Sequence, residues 1–263
     1  MSDLLLTLKA QERRGSKPRC HLLTHGSPKT VAARLTGLVA PYANVTASDR
    51  WMPHGFAELQ EAQLHKAPRL LNPELGAQLR GWWLPPVRHD ARTPNFDVAS
   101  TCTINGAPGL LLVEAKAHAE ELKNEATGRS LTDNSSADRR ASHVTIGHAI
   151  ESARIGLVAA TQLPWQISRD SHYQMSNRFA WAWKLTDLGI PVVLVYLGFL
   201  EAGEMADRGE PFTDHNAWDA LVKAHSAPLC PADIWNRRWF VNGVPFVPLI
   251  RTVEQPLDPE IEL

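Results

Sequence analysis

The chain has 263 residues, a formal net charge of −1 and a hydrophobic fraction of 44%. That length supports a substantial buried core, and the near-neutral balance excludes a globally basic nucleic-acid-binding protein. Its three cysteines, Cys20, Cys102 and Cys230, show no CxxC spacing, which excludes a disulfide framework, a zinc ribbon and a four-cysteine iron–sulfur cluster.

Residues 1–20 read as a basic N-terminal arm. Lys9, Arg13, Arg14, Lys17 and Arg19, with Lys29 and Arg34 beyond them, face only Asp3 and Glu12. Such an arm either tracks phosphates or is simply solvated. The start of the chain lacks the pattern of a secretory signal, and no apolar run approaches the ~20 residues of a membrane span. The expected location is therefore cytoplasmic, with no membrane contact.

Residues 21–263 read as one domain, with a core at about 56–200 and a C-terminal addition at 201–263. Ser27-Pro28 starts a helix, with serine as cap and proline at the first helical position, running to about Val39. A second helix is expected from Phe56 to His65. Asn72-Pro73 repeats the start signal, and Gly81 is expected to end that helix. Phe96 to Ile104 has the β-branched and small residues of a strand. Asn105 to Gly109 is turn chemistry, and Leu110 to Lys116 is a second strand, apolar until its end. Together they predict a hairpin whose second strand is buried on both faces.

Residues 117–141 are polar and read as a loop, with frayed helix at Glu120–Glu125. Helices follow from about Ser142 to Thr161 and from Ser171 to Leu188. Pro191 to Leu200 is a central-strand signal. Asp214 caps a helix to about His225, and Asn242-Gly243 marks a terminal hairpin. Glu254, Asp258, Glu260 and Glu262 make the tail acidic. The nine tryptophans are assigned mainly to the core. The order predicts an α/β fold, with a central mixed β-sheet flanked by helices.

Glu114-Ala115-Lys116 carries the chemistry. Alternate residues of a strand share a face, so Glu114 and Lys116 point the same way, roughly 7 Å apart along the strand. Chain reversal brings Asp97, at the start of the first strand, beside them. Two carboxylates ~4 Å apart repel by about 4 kcal/mol at an effective dielectric near 20. A proton, a divalent cation between them, or Lys116 alone in an ion-pair cluster without chemistry would offset this. Oxygen donors favour Mg²⁺ or Mn²⁺.

Pro94-Asn95-Phe96-Asp97, followed across a hairpin by Glu114-Ala115-Lys116, resembles the PD-(D/E)xK nuclease superfamily, with two residues between the proline and the aspartate. The resemblance covers roughly residues 56–200 and points to an uncharacterised bacterial branch. It implies a restriction-endonuclease-like sandwich and metal-dependent hydrolysis of nucleic acid, DNA first, in restriction, repair or defence. It implies that Asp97, Glu114 and the Ala115 carbonyl hold one or two divalent ions. Lys116 then orients or activates the attacking water and stabilises phosphate charge. On the same grounds Gln174, which shares a helix face with Arg178, is a further active-site candidate. Glu61, on the expected Phe56–His65 helix beside Glu58, is an additional metal-ligand candidate. His118, two residues past the motif, is a candidate phosphate contact. His143, His148 and His172 form no HExxH or HxxxH zinc pattern among themselves. A homodimer is left open. The alternatives are a non-cutting nuclease fold that binds nucleic acid or protein, and a metal-dependent nucleotide phosphohydrolase.

Overall fold

The computed structural model describes residues 3–86 and 92–257; Asp258, Glu260 and Glu262 of the acidic tail lie outside them. The N-terminal part does not form a loose arm. Two 3₁₀ turns, Asp3–Thr7 and Ala10–Glu12, lead into helix α1 (Ser16–Leu23), and Leu5, Leu8 and Cys20 are buried. Its cations are largely consumed internally. Arg19 meets Glu204 at 2.5 Å, Lys17 meets Glu12 at 2.8 Å, and Arg14 pairs with Asp207. Apolar Leu5 and Leu8, overshadowed in composition by the basic residues, fix this segment to the body.

Helix α2 (Pro28–Val39) begins where Ser27 accepts the Thr30 N–H. The short strands β1 (Ala43–Asn44) and β2 (Trp51–Met52) follow. The expected Phe56–His65 helix is absent: this stretch holds only a 3₁₀ turn at Leu64–Lys66. Ala62 and Phe96 instead exchange backbone hydrogen bonds of 3.2 and 3.0 Å. This long-range pairing takes the amides that a local helix would need. Helix α3 (Pro73–Trp83) is capped by Asn72 and runs two residues past Gly81.

Strands β3 (Val98–Ile104) and β4 (Ala107–Lys116) are joined by Asn105-Gly106, both at positive φ. This is a two-residue hairpin turn of the kind Asn-Gly favours. It is tighter than the expected Asn105–Gly109 turn, so β4 gains three residues at its start. The tight turn sets Val98 opposite Val113, and one further step brings Asp97 level with Glu114. Helix α4 (Ala119–Lys123) and a 3₁₀ turn at Asn124–Ala126 order part of the predicted loop. Helix α5 (Ala137–Thr161), capped by Ser136, starts five residues earlier than predicted.

Helix α6 (Tyr173–Asp187) then leads to β5 (Val192–Leu200), and α7 (His215–Ser226) starts at the Asp214 cap. The final hairpin is β6 (Trp239–Val241) and β7 (Val244–Glu254). The sheet order is β1-β3-β4-β5-β7-β6, with β2 also on β3. β4, β5 and β7 run parallel to one another, while β3 and β6 are antiparallel to their partners. The structure is thus α/β with a mixed central sheet.

Alternation along the central strands divides the core into two faces. Leu112, Leu194 and Phe246 join α3, α5, α6 and α7 on one side. Leu111, Val113, Val193 and Leu249 join α1 and α2 on the other. Continuous apolar strands follow from this two-sided burial. Trp83, Trp165, Trp181 and Trp218 are fully buried on the four-helix side.

Gly156 of α5 lies under the indole of Trp183 on α6, and a Cβ there would collide with the ring nitrogen. Glycine to alanine in a free helix gains up to about 1 kcal/mol. Here the sign reverses, because overpacking costs about 1–3 kcal/mol. Gly156→Ala should therefore lower the melting temperature; an increase would show that the α5–α6 contact yields without strain.

Candidate active site

The carboxyl end of β4 breaks the apolar pattern on the four-helix face. Strand alternation places Leu110, Leu112, Glu114 and Lys116 in one row. The first two fill the core, whereas Glu114 and Lys116 are only 1% and 6% exposed yet charged. Such charges require partners, and the neighbouring elements supply them. Lys116 donates to Glu114 Oε1, Gln174 Nε2 donates to the same oxygen at 2.7 Å, and Arg178 Nε donates to Oε2 at 2.6 Å. Gln174 and Arg178 come from successive turns of α6, so one helix face supplies both donors.

Asp97 stands at the mouth of β3. Its N–H donates to the Val113 carbonyl at 3.1 Å, and its Oδ2 accepts the Ala115 N–H at 2.7 Å. Its Oδ1 accepts no hydrogen bond among the described residues. Glu61 arrives from the irregular segment before α3, where its Oε2 accepts from Asn95 at 2.9 Å and Lys17 approaches at 3.7 Å. Asp97, Glu114, Ala115, Lys116, Gln174 and Glu61 all line one cleft of about 460 Å³. Glu58 does not join them; it is exposed and paired with Arg69 at 3.1 Å. His118 is buried beside Glu121, at 3.8 Å, rather than among the cleft-lining residues.

Three further residues of the cleft are missed as site candidates by sequence reasoning. Arg178 is noticed only as a neighbour of Gln174, although a buried acid on a central strand calls for a cation opposite it. Glu125, from the 3₁₀ turn after α4, meets Lys116 Nζ at 2.5 Å. Glu121 Oε2 accepts the Ala117 N–H at 2.6 Å. Nothing in the local pattern around Glu121 or Glu125 distinguishes a buried acid from a solvated one.

The electrostatics separate the acids. Burial raises the Glu114 carboxyl, but Arg178 and Lys116 outweigh it and hold the group down at about 2. Burial and the Glu114 charge push Asp97 up to about 8, against the pull of Lys116 and the Ala115 N–H. Burial opposes the Lys116 charge, yet Glu114, Glu125 and Asp97 keep its pKa above the usual lysine value. The cleft lining has five acids and two cations, Lys116 and Arg178. Fully ionised, it would repel a phosphodiester.

This donor set fits a small hard cation. Asp97 has an oxygen free of protein donors, and Glu114 Oε2 accepts only from Arg178. No group of three metal-ligating side chains converges among the described residues. Mg²⁺ needs none, since one or two carboxylates completed by water and substrate phosphate suffice. No family model, curated protein or solved structure matches the chain.

The Asp97 shift has a direction in pH. Its folded value of about 8 lies above the ~3.9 of an unfolded aspartate. The stability of its neutral form is fully present below the unfolded value and is lost as pH rises through the folded one. Glu125, raised to about 7 first by burial, acts in the same direction. Glu114 acts oppositely, losing its contribution as pH falls through about 2. The metal-free melting temperature should thus fall between about pH 5 and pH 9, and Asp97→Asn should flatten that slope. Superimposable wild-type and Asp97→Asn profiles would contradict the assignment.

Proposed function

We propose that the protein is a divalent-cation-dependent nuclease that hydrolyses phosphodiester bonds, with DNA as the first substrate to test. The observation that carries this reading is the meeting of Asp97, Glu114 and Lys116 in one cleft at the carboxyl end of β4, with an excess of acids. The antiparallel β3–β4 hairpin, the helices after it and the parallel β5 support a restriction-endonuclease-like sandwich.

Asp97 and Glu114 would hold Mg²⁺ or Mn²⁺, with the Ala115 carbonyl and Glu61 as further oxygen donors. When bound, the cation polarises the phosphodiester and makes water more acidic. Lys116 supplies fixed positive charge where the attacked phosphate gains negative charge. Such preorganised charge in a water-poor site is worth more than in water. Gln174 and Arg178 hold the Glu114 carboxylate in place, and Arg178 also lies 5.0 Å over the Phe96 ring beside Asp97. The surplus of acids makes entry of a nucleic-acid strand dependent on the cation.

One observation favours a competing reading, a non-cutting nuclease fold: Glu114 is already satisfied by Lys116, Gln174 and Arg178. Cleavage of plasmid and single-stranded DNA, with and without Mg²⁺, separates the two. Lys116→Met keeps the side-chain bulk and removes the charge. It should reduce Mg²⁺-dependent cleavage on the order of a hundredfold or more. A folded variant cutting at the wild-type rate would exclude this role for Lys116.

Cation binding is tested separately. At a hundredfold excess over Kd, Mn²⁺ should stabilise the folded protein by about 2.7 kcal/mol. The thermal shift should vanish in Asp97→Asn. An equal shift in both proteins would remove the assigned cation site.

A further inference from the structure

Lys116, as an ammonium, has three N–H donors and no acceptor. It donates to Glu114 Oε1 and to Glu125 Oε1, and both acids are buried. A lysine locked between two carboxylates can stabilise phosphate charge but offers no lone pair to a proton. Hydrolysis still requires the attacking water to lose one. The proton acceptor must therefore be a different group in the cleft.

Glu125 has the open position. The residue is 9% exposed, and its Oε2 is buried with no hydrogen-bond partner among the described residues. A buried acceptor without a donor costs about 1–3 kcal/mol, a penalty lifted when a donor arrives through the cleft that Glu125 lines. The other acids are less suited. Glu114 accepts three hydrogen bonds from side chains, and Glu121 Oε2 is taken by the Ala117 N–H. The free oxygen of Asp97 is the one assigned to the cation. The groups acting most strongly on Glu125 include Lys116 and Glu114 of β4 and Arg178 of α6, with Tyr196 of β5 also coupled to it. Burial, with this balance of charges, raises the Glu125 carboxyl to about 7, a strength suited to a base at neutral pH.

We propose, resting on the nuclease reading, that Glu125 Oε2 takes the proton of the attacking water while Lys116 remains an ammonium throughout. The water oxygen forms the new bond to phosphorus as its proton passes to Glu125. The bond from phosphorus to the leaving sugar oxygen breaks, the electron pair stays on that oxygen, and it gains a proton from solvent. Glu125 returns its own proton to solvent before the next turnover. One water is consumed for each phosphodiester hydrolysed.

The test compares full-length wild type with Glu125→Gln on plasmid DNA and Mg²⁺ across a pH series. Glutamine keeps an oxygen for Lys116 but cannot take up the proton. The expected kcat falls about a hundredfold or more, and the acid-side limb of the kcat profile disappears. KM stays within about twofold, because the lost interaction belongs to the transition state. In Glu125→Ala, added formate restores part of the rate by supplying a carboxylate to the vacated space; this variant carries the test if Glu125→Gln does not fold, and absence of rescue then overturns the proposal. Wild-type kcat and pH profile in Glu125→Gln overturn the proposal and leave the nuclease reading intact. A wild type without any cation-dependent cleavage overturns both. Carbon-13 NMR of glutamate-labelled, Mg²⁺-saturated protein adds a readout independent of turnover. The carboxyl signal missing from Glu125→Gln should titrate within the pH series, and one still protonated at about pH 10 overturns the assignment.

Discussion

The site depends on a carboxylate that cannot reach bulk water. Glu114 lies on β4, a strand flanked by β3 and β5, and is 1% exposed. An isolated buried carboxylate would be neutralised or would unfold its surroundings. Its charge survives because two cations and an amide converge on it, with Arg178 and Gln174 from α6 and Lys116 from its own strand. This requirement explains the polar side chains in the first turns of an otherwise buried helix. It also links the packing of α6 on the sheet to the geometry of the cleft. Moving the helix would leave Glu114 with Lys116 alone and part Arg178 from its carboxylate.

The same arrangement leaves Asp97 short of compensation. Arg178 and Lys116 are committed elsewhere, so the nearest support for Asp97 is one backbone N–H and a share of the Lys116 field. Two acids beside each other are thereby differentiated. Arg178 and Lys116 hold Glu114 toward its charged form, whereas burial and the Glu114 charge push Asp97 toward its neutral form. Under the proposed function, a cation bound to Asp97 would displace the carboxyl proton, so its affinity would increase as Asp97 ionises.

The hairpin and the motif at its ends were legible because their signals are local. Asn105-Gly106 fixes a turn, the turn fixes register, and register sets Asp97 level with Glu114. Gln174 was reached through the family resemblance and i,i+4 spacing. The failures share a physical cause, which is long-range pairing. Ala62 gave its backbone hydrogen bonds to Phe96 instead of to a helix, so Glu61 reaches the cleft from irregular chain. Arg19 found Glu204, and Arg14 found Asp207, across most of the sequence. Glu125 became visible only once the packed turn against Lys116 gave it a buried side chain.

The position of the cleft has an explanation independent of the acidic motif. β4 and β5 are parallel neighbours, and ligand sites in open α/β sheets gather beyond the carboxyl ends of such strands. There the chain leaves β4 directly into α4, bringing Glu121 and Glu125 to the cleft. Across the sheet Gly198 stands opposite Lys116, and Trp218 occupies the space that a side chain at Gly198 would need. The indole is anchored by its N–H to the Tyr196 carbonyl at 3.1 Å. A larger residue at position 198 would displace this anchored ring from the strand beside Lys116. The glycine therefore preserves the local packing around the lysine, while the buried acids determine its charge. Strand packing and cleft electrostatics are thus separate constraints that meet at the same side chain.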